Sequence, residues 1–382
     1  MNRVIVTSAA RMPLGTFCGQ LEGIPEQELA AAAMLEAVRR AGIAPEKIDG
    51  VIVGIGKQTS KPSNGGRYAM LLARLPESIP AYTVQRQSAS GLQALANGYW
   101  AIRCGDAGVV LAGGTESMSR IPFEIRNVRY DFKAKMREII DAIPAQEMGA
   151  QPAGLYGMLT TARVAANFVG KYGFSDGELA DYAAESLRRA QSAGGGDLFP
   201  EEVVPVTVKK GKEEKLICRD ELQAEPALVA PPADGAAMCL LAGREQAETL
   251  GLPILAEIAS VGIAAADPRY AGLAAVEAGL KALGRVGMTL PEVDLIELNE
   301  MSAAESLAIL REWESMGIDR EALTERVNPA GGTLATGNPW GASGAILLTK
   351  VVYGLRRRGG RIGMAVLTAE GGQGMAMVLK RV

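Results

Sequence analysis

The chain of 382 residues contains 40 Lys and Arg, 43 Asp and Glu and no histidine, which gives a formal net charge of −3. This balance argues against general attraction to nucleic acid or anionic lipid, and no apolar run approaches the roughly 18 residues of a membrane-spanning helix. No signal peptide is visible at the N-terminus, so we expect a cytoplasmic protein. The spacing of the cysteines predicts neither a metal site nor a disulfide framework; they are Cys18, Cys104, Cys218 and Cys239.

Short apolar runs alternate with alanine-rich runs along the chain, which is the pattern of an α/β protein with a mostly parallel sheet. Helical runs are recognised by apolar residues on one face and by a glycine at the end, as at Gly42. The elements predicted for the first part of the chain are a strand at 4–9, a helix over 26–42, a strand at 50–56, a helix from Ser90, and a strand at 107–112 followed by a glycine turn.

Two stretches of the first half recur in the second half. LAAAAMLEAVRRAGIAPEKIDGVIVG resembles LAAVEAGLKALGRVGMTLPEVDLIELN, with Gly42 and Asp49 matching Gly287 and Asp294. A second pair of stretches shares a Ser-Gly helix start, a helix, a strand and a Gly-Gly turn. Because two separate blocks agree, chance similarity between alanine-rich helices is a poor explanation, and the sequence predicts two homologous halves.

The residues between these halves differ in character. A charged segment with basic residues between Arg126 and Lys135 is interpreted as solvated surface, with a site for a phosphate-bearing ligand as the alternative. A helix is predicted over 175–194, with Ser175 and Glu178 forming a capping box at its start. The predicted division is an N-terminal half at 1–118, an inserted domain at 119–251 and a C-terminal half at 252–382.

Seven segments, spread in order over nearly the whole chain, carry a more specific signal: VIVTSAARMPLGTF, NGGRYAMLLARLPESIPAYTV, SGLQAL, LAGGTESMSRIPF, ELNEMSAAE, NPAGGTLATGNPWGASGA and GGQGMAMVL. Together they resemble the thiolases, the acyl-CoA C-acyltransferases. The resemblance implies an α/β thiolase fold, in which two similar βαβαβαββ halves form a five-layered αβαβα arrangement with an inserted loop domain over the CoA. It further implies a homodimer or homotetramer that takes acyl-CoA or CoA as substrate or ligand and needs no other cofactor.

The resemblance places the family's nucleophilic cysteine at Ser88, two residues before the Ser-Gly of SGLQAL. In the family this cysteine lies at a helix N-terminus, where the helix dipole and a histidine lower the pKa of the thiol. A serine hydroxyl is a much weaker acid, and a helix dipole contributes only about 1 kcal/mol. Ser88 therefore needs a separate base before it can act as a nucleophile.

The family's histidine base corresponds to Asn338 in TGNPWGASG. An asparagine amide can donate a hydrogen bond, but it cannot accept a proton near neutral pH. Asn338 and Asn299 of ELNEMSA are therefore expected to polarise a thioester carbonyl as an oxyanion hole, a contribution of about 3 kcal/mol per donor. The function of general base is lost at this position.

The family's second catalytic cysteine corresponds to Thr368, whose hydroxyl does not titrate near pH 7. The glycine-rich turn that follows becomes Glu370-Gly371-Gly372. The resemblance implies that the backbone N–H of Glu370 faces the acyl oxygen beside Ser88, and that Gly371 belongs to the same substrate-binding turn. Burial would raise the pKa of a Glu370 carboxyl into a useful range. The alternative is that Ser88 only fills the space of the lost cysteine while Glu370 points to solvent.

Three functions follow from these substitutions. By similarity the chain is an acetyl-CoA acetyltransferase, which forms or cleaves C–C bonds on acyl-CoA thioesters, with the usual Cys/His/Cys chemistry lost or redirected. The second is a non-catalytic acyl-CoA-binding or scaffold protein, with a partner protein that supplies catalysis. The third is a slow acyltransferase or thioesterase that depends on Ser88. Standard thiolase activity is predicted to be absent or very low.

Overall fold

A computed structural model describes residues 2–126, 129, 138–193, 201–210 and 213–382. The strands are β1 (Val4–Arg11), β2 (Gly15–Thr16), β3 (Gly50–Gly54), β4 (Ala81–Val84), β5 (Val109–Ser117), β6 (Phe123–Glu124), β7 (Ile140–Asp141), β8 (Val206–Lys210), β9 (Glu213–Ile217), β10 (Ala233–Gly243), β11 (Ala256–Ala265), β12 (Leu295–Leu298), β13 (Ile362–Ala369) and β14 (Gln373–Arg381). The helices are α1 (Glu26–Ala41), α2 (Gly65–Leu72), α3 (Ser90–Cys104), α4 (Ala142–Met148), α5 (Ala153–Tyr156), α6 (Thr161–Tyr172), α7 (Asp176–Ser192), α8 (Arg244–Thr249), α9 (Leu273–Gly284), α10 (Ala303–Ser315), α11 (Arg320–Arg326), α12 (Thr333–Thr336) and α13 (Trp340–Arg358).

The strand order shows the two related halves. From one edge of the sheet to the middle, the strands of the first half lie in the order β4, β3, β5, β10 and β1. From the other edge to the middle, those of the second half lie in the order β12, β13, β14 and β11. The halves join where β1 pairs with β11 in antiparallel register, with Val4 opposite Ile258. The element that corresponds to β4 in the second half is reduced to one bridge between Val327 and Ile296. Both halves therefore share one strand order, as the internal repeat predicts.

Side chains that alternate between the two faces of the strands produce the layers of helices and sheet. In β10, Met238 and Leu240 pack in a cluster with α1 and α2, whereas Cys239 and Leu241 pack with α3 and α13. In β14, alternate residues likewise face α13 and α9. Because successive strand residues point to opposite faces, each half of the sheet is covered by helices on both sides. The result is the predicted five-layered αβαβα arrangement, with α3 and α13 in the central layer.

The sequence prediction was wrong at the end of β5. We expected a strand at 107–112 followed by a glycine turn, but the strand runs from Val109 to Ser117 and includes both glycines. A Cβ atom on Gly114 would lie 2.0 Å from the Gly341 carbonyl oxygen of α13. The glycine therefore permits close packing of the strand against the central helix and does not form a turn.

The inserted segment returns to the sheet. It contains the short pairs β6–β7 and β8–β9 and helices α4 to α7, and β10 then pairs with β1 and β5. The predicted capping box is present, since Ser175 and Glu178 bond reciprocally at the start of α7. Most of the basic segment between Arg126 and Lys135 lies outside the described residues. The division at 118 and 251 remains a prediction.

Among the residues that the structure describes, no helix combines the length and the apolar character needed to cross a membrane.

Candidate active site

Ser88 lies in the turn that connects β4 to α3. The turn is held by Ser90, whose hydroxyl donates to the Gln87 carbonyl at 2.6 Å and accepts from the Arg86 N–H at 2.8 Å. Gln87 has a φ of 48°, a left-handed conformation that costs a non-glycine residue free energy. This sharp turn places the fully buried Ser88 just before the N-terminus of a helix of 15 residues, where the helix dipole is positive.

The Glu370 carboxylate is turned toward Ser88. The Ser88 hydroxyl lies 3.1 and 3.2 Å from the two carboxylate oxygens, and the Ser88 backbone N–H donates to Oε2 at 3.3 Å. Glu370 precedes Gly371, whose φ of 80° belongs to the left-handed region that favours glycine in a tight turn. The sequence therefore makes a turn between β13 and β14 that brings a carboxylate to the serine, and Glu370 does not point to solvent.

Burial raises the pKa of Glu370 to about 7. The negative charge of Glu147 raises the pKa further, and hydrogen bonds from the backbone N–H of Glu370 and from Ser88 oppose these effects. A carboxyl group with this pKa is about half ionised at neutral pH, so it can both accept and return a proton.

Thr368 is paired with a second carboxylate that the sequence analysis did not identify. Its hydroxyl donates to Oε1 of Glu305 at 2.6 Å, and both residues are buried. Burial raises the pKa of Glu305 to about 7, with the nearby charge of Glu370 adding to the increase and the Thr368 hydrogen bond opposing it. The signal in the sequence was the position of Glu305, six residues after Asn299 in the same motif and in the first turn of α10.

Asn299 and Asn338 are brought together as the resemblance implies. Asn299 follows the end of β12, and Asn338 lies just before α13. Both side-chain amides donate to the sulfur of Met301, at 3.2 Å from Asn299 and 3.3 Å from Asn338. The Ser343 hydroxyl donates to Oδ1 of Asn338 at 2.6 Å and orients this amide. Two hydrogen-bond donors thus converge on one point. The Met301 thioether, which is a weak acceptor, lies at this point.

A small cavity of about 30 Å³ lies beside the Thr368–Glu305 pair and the turn that carries Glu370. Three carboxyl-bearing residues line it, namely Glu147, Glu305 and Glu370, together with Met301, Thr368 and Gly371. The pKa of Glu147 is also raised by burial, with opposing hydrogen bonds from Thr161. Within the described ranges, no group of three acidic or cysteine side chains is placed to hold a metal ion. The cavity therefore combines apolar walls with carboxyl groups able to exchange protons.

No cysteine takes the place of Ser88. Cys18, Cys104 and Cys218 are exposed, and Cys239 is buried within β10. Burial raises the pKa of the Cys239 thiol to about 12, opposed only by a hydrogen bond with Thr349, so little thiolate forms near neutral pH.

Comparison with known proteins agrees with the fold and with the motifs. The chain matches the family models "Thiolase, N-terminal domain" over residues 4–242 and "Thiolase, C-terminal domain" over residues 252–381. It is 36% identical over 406 residues to an acetyl-CoA acetyltransferase of Pseudomonas aeruginosa, and 33% identical over 405 residues to a beta-ketoadipyl-CoA thiolase of Pseudomonas putida. Both alignments cover 100% of each chain.

Solved structures show the same relationship. The acetyl-CoA acetyltransferase of Bacillus anthracis superposes with a TM-score of 0.92 at 31% identity, covering 100% of this chain and 99% of the other. Human mitochondrial 3-ketoacyl-CoA thiolase superposes with a TM-score of 0.91 at 29% identity, with the same coverage. These similarities extend over both halves and the inserted segment, and the chain therefore belongs to the thiolase family.

Proposed function

We propose that this chain transfers acyl groups from acyl-CoA thioesters through the Ser88 hydroxyl, with Glu370 as its general base. The observation that carries the proposal is the contact of 3.1 Å between Ser88 Oγ and the Glu370 carboxylate. Family membership supports acyl-CoA thioesters as the substrate class, since the relatives described above are named for such substrates. A homodimer or homotetramer in the cytoplasm is part of the proposal, on the strength of the resemblance alone.

In the acylation step, Ser88 Oγ attacks the thioester carbonyl carbon while its proton moves to the Glu370 carboxylate. The C–S bond then breaks, and the departing CoA sulfur takes the proton from Glu370, leaving an acyl ester on Ser88 and free CoA. Protonation of Glu370 weakens its acceptance of the Ser88 N–H, so that this donor becomes available to the developing oxyanion. An incoming water or other acceptor reverses the sequence and releases the acyl group.

The test is the mass of the protein after incubation with acetyl-CoA. We expect the wild-type chain to gain one acetyl group, located at Ser88 by peptide mass spectrometry. Ser88→Ala should gain none there, and Glu370→Gln should be labelled about 100-fold or more slowly because the base is removed. Glu245→Gln, exposed on α8, is the control and should label as wild type does. Failure of the wild-type chain to label with acetyl-CoA or longer acyl-CoA thioesters would refute the proposal.

One observation favours the non-catalytic alternative. The Met301 sulfur accepts hydrogen bonds from the side-chain amides of Asn299 and Asn338. The Glu370 carboxylate accepts one from the backbone N–H of Ser88. The donors that would bind an acyl oxygen are therefore already bonded to groups of the chain itself. A protein that only binds acyl-CoA would tolerate this arrangement. Calorimetric titration with CoA and acetyl-CoA, combined with the labelling test, separates the two functions, since binding without acylation indicates a scaffold.

A further prediction concerns Met301. We expect Met301→Ala to bind acetyl-CoA about 5- to 10-fold more tightly than wild type, because the side chain no longer occupies the place beside the two amides that an acyl oxygen needs, a net gain of about 1 kcal/mol. Calorimetric titration gives the affinities. Met301→Leu is the matched control, since leucine keeps the bulk but accepts no hydrogen bond, and it should show no gain. Equal affinities for wild type and Met301→Ala would contradict the proposed blocking role.

A further inference from the structure

Glu305 is a buried carboxyl group without an ion-pair partner among the described residues. Its backbone N–H donates to the Ser302 hydroxyl at the start of α10, and its Oε1 accepts the Thr368 hydroxyl. Within the described chain, Oε2 has no hydrogen-bond partner. Burying a carboxylate costs several kcal/mol unless it is paired or protonated. A group kept in this state at a cavity wall is a candidate for proton transfer.

The cavity places Glu305 beside the groups that would hold a thioester. Met301, where the amides of Asn299 and Asn338 converge, lines the same cavity, as does Glu370, the proposed base for Ser88. A thioester whose oxygen displaces the Met301 sulfur would be polarised by two amide donors. Such polarisation makes the adjacent C–H bond more acidic, since the negative charge that develops on the oxygen is stabilised. The remaining requirement is a base within the cavity.

We propose that Glu305 removes and returns a proton at the α-carbon of an acyl-CoA thioester bound in this cavity, so that the site catalyses enolisation independently of Ser88. This rests on the proposed function only in taking an acyl-CoA thioester as the ligand. The α-C–H bond breaks, its proton goes to the Glu305 carboxylate, and its electron pair forms the C=C bond of an enolate. The carbonyl π electrons move to the oxygen. Return of a proton from Glu305, after exchange with solvent, regenerates the thioester.

The alternative is that Glu305 only fixes Thr368 and the start of α10. Both roles predict loss of stability when Glu305 is changed, so stability does not distinguish them. Only a base role predicts chemistry at the α-carbon. Thr368 gives a second distinction, because its hydroxyl lowers the pKa of Glu305, and removal of this hydroxyl would raise that pKa further. A base role therefore predicts a pH profile that depends on Thr368.

The experiment is exchange of the α-hydrogens of acetyl-CoA in D2O, followed by mass spectrometry of the recovered thioester. We expect exchange with wild type, and a rate about 100-fold or more lower with Glu305→Gln. Glu245→Gln is the surface control and should exchange as wild type does. No exchange with wild type, or full exchange with Glu305→Gln, would overturn the inference. Ser88 labelling is scored separately, so either proposal can fail while the other stands.

Folding of each variant is checked by circular dichroism and by the unfolding temperature. If Glu305→Gln does not fold, Thr368→Val provides the decisive measurement. The pH at which exchange reaches half its maximum should then move upward relative to wild type, because the ionised form of Glu305 loses a hydrogen bond. An unchanged pH profile in a folded Thr368→Val protein would show that the exchanging base is not Glu305.

Discussion

An Arg11→Met variant should unfold with a free energy about 3–5 kcal/mol lower than that of the wild-type chain. Arg11 is buried at the end of β1, and its guanidinium donates to Glu202 at 2.9 Å and to both oxygens of Asp220 at 2.7 and 2.9 Å. Replacing one partner of a buried ion pair leaves uncompensated charge, which costs that amount. Among the residues that the structure describes, Asp220 would keep only the hydrogen bond from the Leu14 N–H. Urea titration followed by circular dichroism, at one protein concentration, measures the change.

Arg39→Met is the matched control. Arg39 pairs with Glu36 on the surface of α1, and its side chain is 72% exposed, so its loss should change the free energy of unfolding by less than about 1 kcal/mol. Adding Asp220→Asn to Arg11→Met should recover part of the loss, because the unpaired charge is removed. Equal effects of the Arg11 and Arg39 substitutions would show that the buried cluster does not anchor the inserted segment to the first half.

Below pH 7, the rate of Ser88 acylation is expected to increase about tenfold with each unit by which the pH is raised. Above pH 7 the rate should level off. Glu370 acts as a base only when it is ionised, and its pKa is raised to about 7 by burial. At pH 5 about 1% of the carboxyl groups would be ionised, so acylation there should be about 100-fold slower than the plateau rate. Rapid-quench mass spectrometry across this pH range gives the profile.

Two variants test the assignment of this profile to Glu370. Glu370→Gln should be slower than the wild-type plateau by about 10²- to 10⁴-fold, and its rate should not depend on pH in this range. Glu147→Gln should move the midpoint to lower pH, because the Glu147 charge raises the pKa of Glu370. If Glu147→Gln leaves the midpoint unchanged, or Glu370→Gln retains the wild-type pH profile, then Glu370 is not the group that controls acylation.

The fold was accessible from the sequence because its signals are local or repeated. The helix at Glu26–Ala41 and the strands that flank it follow from periodicity and from Gly42, which has the left-handed φ of a helix C-cap. The repeat of helix, glycine and strand predicts two halves from the sequence alone. The end of β5 was mispredicted, because Gly114 is required by packing against α13, a contact that no local pattern reveals.

The positions of the candidate site remain predictions from the motifs, and the contacts between its side chains came only in part from the sequence. The resemblance predicts that Ser88, Asn338 and Thr368 correspond to the family's catalytic positions. The structure brings Ser88 to Glu370, and it brings Asn338 and the predicted oxyanion residue Asn299 to Met301. The pairing of Thr368 with Glu305 was not anticipated, since 63 residues separate them along the chain. Residue types alone suggested that the bases were missing.

The sequence by itself thus determined the α/β class and the repeated halves, and it predicts a hydroxyl and an amide where the resemblance implies a thiol and an imidazole. Only the tertiary structure decided that Glu370, in the turn after β13, reaches the Ser88 hydroxyl. It likewise decided that Glu305 of α10 reaches the hydroxyl of Thr368. It also decided their acidity, because the pKa of a carboxyl depends on how much water and charge surround it. That environment is made by segments distant in sequence, and local patterns therefore do not encode it.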